Sequence, residues 1–200
     1  MKKEGIMRLL LCAVWVLSFG LIGAAAQAAN VTLSPVSAEQ GYRFVHVTGE
    51  IIGGDAEQLE QALLQAQGQN NQIAVMLDSR GGDVDVSMAM GQFIRRYHAV
   101  TYHAYCASAC VFAFLGGEQR YFSQDSGAML NVHRPELAEA HIAHPTAFTT
   151  RMLEVLRTYI ASMTGSSSLY NAMMFIPFSS PRALLPSEAQ SMQVATAVLP

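Results

Sequence analysis

Two short stretches of this sequence carry the residue types that acyl-transfer chemistry needs. Ser79-Arg80-Gly81-Gly82 sets two glycines side by side, so that backbone N–H groups can approach a reacting oxygen without side-chain obstruction. Tyr105-Cys106-Ala107-Ser108-Ala109-Cys110 sets a hydroxyl at a tight turn. A serine acts as a nucleophile only with a base in hydrogen-bond reach and donors aimed at the developing oxyanion. His133 is the candidate base, because it follows the strand-like run Ala128 to Val132 and so emerges at a strand end. Read locally, both residues also have plainer roles: Ser108 as a helix cap and His133 as a structural imidazole. Only a fold that brings them together turns two weak signals into a site.

The remaining chemistry-bearing residues offer less. His133, His141 and His144 lack the glutamate motif or cysteine set that would complete a metal site, so neither a metal nor another cofactor is expected. Arg95-Arg96 reads as the solvated end of a helix. Tyr97, His98, Tyr102, His103 and Tyr105 form a polar-aromatic strip whose alternate members are surface or cleft residues, with Tyr105 assigned to the core. Methionines at 88, 90, 152, 163, 173 and 174 read as fillers of core gaps or of an oligomer interface.

The elements that must position the two turns follow from hydrophobic periodicity. Tyr42 to Val47 is a strand, with a turn at Gly53-Gly54 and a helix capped by Asp55 and marked by Leu59, Leu63 and Leu64. Gln72 to Leu77 is an apolar run suited to a strand covered on both faces, which Asp78 to Gly82 is expected to break. A helix through Val84, Met88, Met90, Phe93 and Ile94 leads to a strand at Thr101 to Tyr105 and a buried helix from Ser108 to Leu115. Short strands are expected at Arg120 to Phe122 and Ala128 to Val132, a long helix from Phe148 to Met163, and a short one opened by Ser187-Glu188-Ala189. His141 to Pro145 and Gly165 to Ser168 read as exposed, mobile stretches. Alternating strands and helices argue an α/β domain with a mostly parallel sheet and flanking helices.

Residues 1–28 form a separate unit. A basic start (Lys2, Lys3, Arg8), an apolar run from Leu9 to Ala25 and the small-residue ending Ala26-Gln27-Ala28 have the order of a cleaved signal peptide, with the cut after Ala28. The alternative is a retained membrane anchor, since the run approaches a spanning length. Cleavage leaves 29–200 as a single domain in the periplasm or outside the cell. It removes Lys2, Lys3, Arg8 and Glu4, which moves the net charge from −3 to −5 and leaves no lysine. That balance argues against nucleic acid as a partner. A serine–lysine dyad is thereby excluded, so serine chemistry here must use histidine. Export also permits Cys106 and Cys110 to pair, although a spacing of four on a helix start is only marginally suited to disulfide geometry. Both a bond and two buried thiols remain open.

Leu77-Asp78-Ser79-Arg80-Gly81-Gly82-Asp83-Val84, then Cys106-Ala107-Ser108-Ala109-Cys110, then Arg120, then Asn131-Val132-His133-Arg134-Pro135 resemble the Clp protease proteolytic subunit family of the ClpP/crotonase superfamily. The resemblance runs from about Tyr42 to Thr196 and is greater still to the exported ClpP-like proteins of bacteria. It implies a ClpP/crotonase-like fold, Ser108 as nucleophile, His133 as base, and an oxyanion hole from the N–H groups of Gly82, helped by Gly81, and of Ala109. It implies a peptide or small acyl substrate, and self-association through the helix after His133. The family's aspartate, expected near Pro181 ahead of Leu184-Leu185-Pro186-Ser187-Glu188-Ala189, is missing. Ser179 or Ser180 could orient His133 by a neutral hydrogen bond, or Asp83 or Asp125 could serve instead. Without the acid, a non-catalytic peptide-binding or structural protein of the same fold is the alternative reading. The chain shows no nucleotide-binding loop, and export makes a cytosolic ATPase partner unexpected.

Overall fold

The computed structural model describes residues 28–34, 41–67, 72–125 and 127–200; the signal-peptide reading falls outside them apart from its last residue. The central sheet runs β1 (Asn30–Leu33), β2 (Tyr42–Ile51), β3 (Gln72–Gly82), β4 (Val100–Ala107), β5 (Arg120–Ser123) and β8 (Ala197–Leu199) in spatial order. All neighbours along it are parallel except β1 with β2. Residues alternate strongly only in part of these strands. Ile73 to Val75 are all buried, as befits a central strand covered on both faces.

The strand β4 forks the sheet. Its first half pairs with β5 through Thr101 and Tyr102, and its second half pairs in parallel with β6 (Met129–Val132) through Tyr105, Cys106 and Ala107. The short β7 (Arg182–Ala183) then adds antiparallel to β6. This fork takes the second half of β4 away from β5 and sets its end beside the end of β6.

Helices packed on the sheet complete the core. In α1 (Asp55–Gln67), Ala56, Leu59, Ala62, Leu63 and Ala66 fall at helical spacing and are all buried. The helix α2 (Val84–Arg96) is capped by Asp83, whose Oδ1 accepts the Val86 N–H at 3.0 Å. Every residue of α3 (Cys110–Leu115) is buried. Close approach of α2 and α3 rests on glycine: a Cβ at Gly116 would run into the backbone of Gly91, and one at Gly91 into the Phe112 carbonyl at 2.7 Å.

Beyond β6 lie α4 (Glu136–Ala143), α5 (Ala147–Thr164), α6 (Ser168–Met173) and α7 (Pro186–Ser191). The long α5 opens on a Thr146–Thr149 capping box and ends on Gly165 at φ +74°. His141 Nδ1 lies 2.8 Å from Thr149 Oγ1, which ties α4 to α5. No helix of the described residues is long and apolar enough to cross a membrane.

Several expectations need correction. Asp78 to Gly82 does not end β3, which continues through a register shift to Gly82 against Ile51. The α3 helix begins at Cys110, so Ser108 lies before it. His141 to Ala143 is the last part of a helix, and Ser168 opens α6. Asp55 does not cap α1 forwards; its Oδ2 accepts backward from the N–H groups of Ile52 at 2.7 Å and Ala29 at 3.1 Å. Arg95 is no solvated helix end either: its guanidinium donates to the carbonyls of Leu115, Gly116 and Gly117 at the end of α3 and of Met163 in α5.

Candidate active site

The fork in β4 builds the site. Ala107 stands opposite Asn131 in the β4–β6 register, so Ser108 and His133 leave adjacent parallel strands within one residue step of each other. The Ser108 N–H donates to the Asn131 carbonyl at 3.0 Å, which fixes the turn to the strand that delivers the histidine. Ser108 has φ +56°, a left-handed conformation that costs a non-glycine residue roughly 1 kcal/mol. Such an outlier persists only where surrounding structure over-determines it.

A disulfide between Cys106 and Cys110 spans this turn. A helix start alone would hold a spacing of four poorly, but here Cys106 ends a strand, Cys110 starts a helix, and the reversal at Ser108 between them brings their Cα atoms to 5.4 Å. Both cysteines are fully buried.

The double glycine lies against the same turn. A Cβ at Gly81 would stand 2.6 Å from the Ala107 carbonyl oxygen, 2.7 Å from the Ala109 nitrogen and 2.9 Å from the Ser108 Cβ. At Gly82 it would collide with the Ile51 carbonyl, and both residues have positive φ, +92° and +143°. Only glycine fits such positions. The Gly81 N–H is already taken by Ser79 Oγ at 3.0 Å, whereas the Ala109 N–H donates no hydrogen bond among the described residues. Ser79 is 2% exposed, and the sequence reading, though it named this stretch, gave the Ser79 side chain no role.

His133 is buried, and its Nδ1 lies 2.8 Å from the carbonyl oxygen of Arg134. A carbonyl can only accept, so the proton resides on Nδ1 and Nε2 is the basic nitrogen. The far side of the ring is therefore held by main chain and not by Ser179 or Ser180, which are exposed and make no hydrogen bond to it. Asp83 is occupied as the cap of α2, and Asp125 pairs with Ser123. Phe178 packs edge-on against the imidazole with centroids 5.0 Å apart.

Behind this ring a second network sets the orientation. Arg134 Nε donates to Glu139 Oε1 at 2.7 Å, and the same oxygen accepts the Phe178 N–H at 3.0 Å. Arg134 and then Phe178 hold the Glu139 carboxyl below its ordinary value. Neither Phe178 nor the Arg134 carbonyl could be found by motif reading, since a backbone acceptor has no residue signature.

Ser108 and His133 make no hydrogen bond to one another among the described residues, but they line the same two depressions. One is a cleft of about 890 Å³ bordered by Gly81, Gly82, Tyr105 and Pro181. The other is a largely apolar recess lined by Val84, Met88, Met152, Leu153, Leu156 and Phe178, with Asp83, Asp85 and Glu136 also on its wall. Tyr105 is thus a cleft residue and not core. Catalytic hydrogen bonds of an empty site commonly tighten only when substrate binds.

A serine at a strained strand-to-helix turn, a histidine on the neighbouring strand end and a glycine pair against both define an α/β protein with a serine–histidine cleft at the carboxyl ends of parallel strands. The Clp protease family model matches residues 27–172, well over half of the chain, which belongs to that family. Solved structures of ClpP1 from Listeria monocytogenes and of a point mutant of it share the fold, with TM-scores of 0.59 and 0.60. They are 21% and 22% identical to this chain, and each match covers 78% of it and 90% of theirs. A comparison with curated proteins finds no match.

Proposed function

We propose that this chain is an exported serine peptidase or related serine hydrolase that works in the periplasm with a serine–histidine pair. The observation that carries the reading is the strained Ser108 turn, hydrogen-bonded to the strand whose next residues lead to His133. In this mechanism Ser108 Oγ attacks an amide or ester carbonyl while His133 Nε2 takes its proton. The N–H groups of Gly82 and Ala109 stabilise the oxyanion. His133 returns the proton to the leaving amine or alcohol, and water then releases the acyl group by the same steps. The apolar recess beside Ser108 favours substrates with an apolar side chain on the acyl residue.

The Arg134 carbonyl performs half of what a triad acid does. It fixes tautomer and ring orientation, but its partial charge stabilises an imidazolium less than a carboxylate would. Replacing the acid of a triad lowers kcat by about 10⁴ when the wrong tautomer results, while binding and oxyanion stabilisation persist. Here the tautomer is correct, so the expected enzyme is slow but not inert.

A fluorophosphonate probe tests this reading on the exported protein. Labelling should be stoichiometric, abolished in Ser108→Ala, and slowed by at least ~10²-fold in His133→Ala. No labelling of the folded wild type near neutral pH refutes the hydrolase. A second reading, a Clp-family cleft that binds peptides without cleaving them, draws on one observation: among the described residues no carboxylate is hydrogen-bonded to His133, whose Nδ1 faces the Arg134 carbonyl.

A further inference from the structure

Asp55 is completely buried, yet one of its oxygens has no partner among the described residues. Oδ2 accepts two backbone N–H groups, from Ile52 at 2.7 Å and from Ala29 at 3.1 Å, while Oδ1 is inaccessible and accepts nothing. Asp55 takes part in none of the ion pairs formed among the described residues. A buried carboxylate held only by neutral donors, with an oxygen unsatisfied, is costly to keep. The group that touches it, the Ala29 nitrogen, is the atom that cleavage after Ala28 would turn from an amide into a free amine. Ala29 itself is 3% exposed.

We propose that removal of residues 1–28 makes the α-ammonium of Ala29 the buried counter-ion of Asp55, so that processing completes the fold. The inference rests on the export reading, and specifically on a cut after Ala28. Hydrolysis of the Ala28–Ala29 amide by a leader-cleaving endopeptidase consumes one water. The carboxyl stays with Ala28 on the leader, and the amine left on Ala29 takes up a proton. One N–H donor becomes three with a full positive charge, enough to serve Oδ2 and the orphaned Oδ1 together.

The pair lies at the corner where β2 turns into α1. Asp55 holds Ile52 there, and the neighbouring Ile51 carbonyl accepts the Asp83 N–H at 2.8 Å and occupies the space that a Cβ at Gly82 would need. Securing this corner steadies the strand end that presents Gly82 to the cleft. The uncleaved chain has there the neutral amide and a single bridge from Ala28 to Glu50, and processing exchanges that bridge for the charged pair.

The absence of lysine after residue 28 supplies a clean test, because Ala29 would then carry the only primary amine of the processed protein. The full chain is produced with its leader in an exporting bacterial host, its N-terminus sequenced, and its reaction with an acetyl N-hydroxysuccinimide ester followed by intact mass. The expected N-terminus is Ala29. Acetylation of the folded protein should be at least ~100-fold slower than in urea, since it requires local opening. Asp55→Asn should abolish most of that protection. An N-terminus elsewhere, equal rates folded and in urea, or full protection in Asp55→Asn overturns the proposal. Should the variant not accumulate, wild-type protein acetylated in urea and refolded decides. A melting temperature about 5–15 °C lower supports the pair, and an unchanged one overturns it. None of these readouts uses hydrolysis. An inactive protein with a protected Ala29 amine would sink the enzyme reading alone, and an active one with a reactive amine would sink the ion pair alone.

Discussion

Ser108 sits at φ +56° between two bonded cysteines, and its strain and its staple belong together. The disulfide closes a loop of only a few residues, so the entropic model gives it about 2 kcal/mol of stability. Its stronger influence should fall on the turn inside the loop. Replacing both cysteines by alanine is expected to lower urea-unfolding stability by about 2 kcal/mol or less, yet to slow fluorophosphonate labelling of Ser108 by ~10-fold or more as the serine relaxes from its left-handed conformation. Equal labelling rates in the two proteins would show that the β4–β6 register alone holds the turn. At this scale the sequence disclosed the candidate reacting groups but not what orients them. Ser108, His133 and the glycines are visible as residue types at a spacing. The carbonyl on His133 Nδ1 belongs to Arg134 backbone, and any residue there would offer one.

Between elements, the most demanding junction is where α3 and α5 end. Arg95 donates to four carbonyls from these two helix ends, and the nearby Arg120 donates to the carbonyls of Val194, Gly117 and Gln193. Burial, and then the charge of Arg95, push the Arg120 guanidinium down to about 10. Arg95→Met keeps much of the stem packing but leaves those carbonyls without their donor, so a loss of about 2–4 kcal/mol in urea unfolding is expected. A change below about 0.5 kcal/mol would mean that water replaces the guanidinium.

His103 makes the same region acid-sensitive. It is 2% exposed, wedged edge-on between Phe114 and Phe122, and its Nε2 has no partner among the described residues. Burial lowers its pKa below the ordinary 6.5, against a smaller opposing effect of the Ala104 carbonyl. A depressed folded value means that the unfolded chain binds the proton more readily. This contribution to stability is therefore present above about 6.5 and lost as pH falls from there through the folded value. His103→Leu should flatten this part of the acid limb in urea midpoints measured between pH 7 and 5. An unchanged limb would assign the acid sensitivity to other groups.

How far these elements could be read depended on whether periodicity or pairing creates them. Helices α1, α2 and α5 carry their apolar stripes in sequence and were legible, as were the strands that bury both faces. The helix α4 was not, because only Ala138 in it is buried and it is held by His141 to Thr149 and Glu139 to Arg134. Strands β1, β7 and β8 are two to four residues long and exist through their partners. The fork in β4 is a property of the sheet. No local pattern announces that one strand will divide its two halves between different neighbours.

In the whole molecule, the outer face of α5 has consequences for both assembly and substrate. Phe148 is 67% exposed and Val155 44%, on a helix whose opposite face packs through Leu153, Leu156 and Ile160. A shallow groove along α5, lined by Met88, Val155 and Tyr159 and also by Arg151 and Glu154, runs beside this face. Such apolar side chains in one stretch suit an interface between copies better than isolated exposure would. Phe148 also borders the recess next to Ser108, together with Met152 and Leu156. A partner copy covering α5 would therefore complete a wall of the proposed substrate site. Sedimentation should show an oligomer at micromolar concentration, and Val155→Arg should shift it toward monomer by placing a charge in the contact. Val155 does not line the recess, so if assembly shapes the site, the variant should label more slowly at Ser108 with its fold intact by circular dichroism. Wild-type labelling should likewise fall on dilution through the dissociation range. A monomeric wild type would remove α5 as an interface, and an oligomer whose labelling ignores both dilution and Val155→Arg would separate assembly from the shape of the cleft.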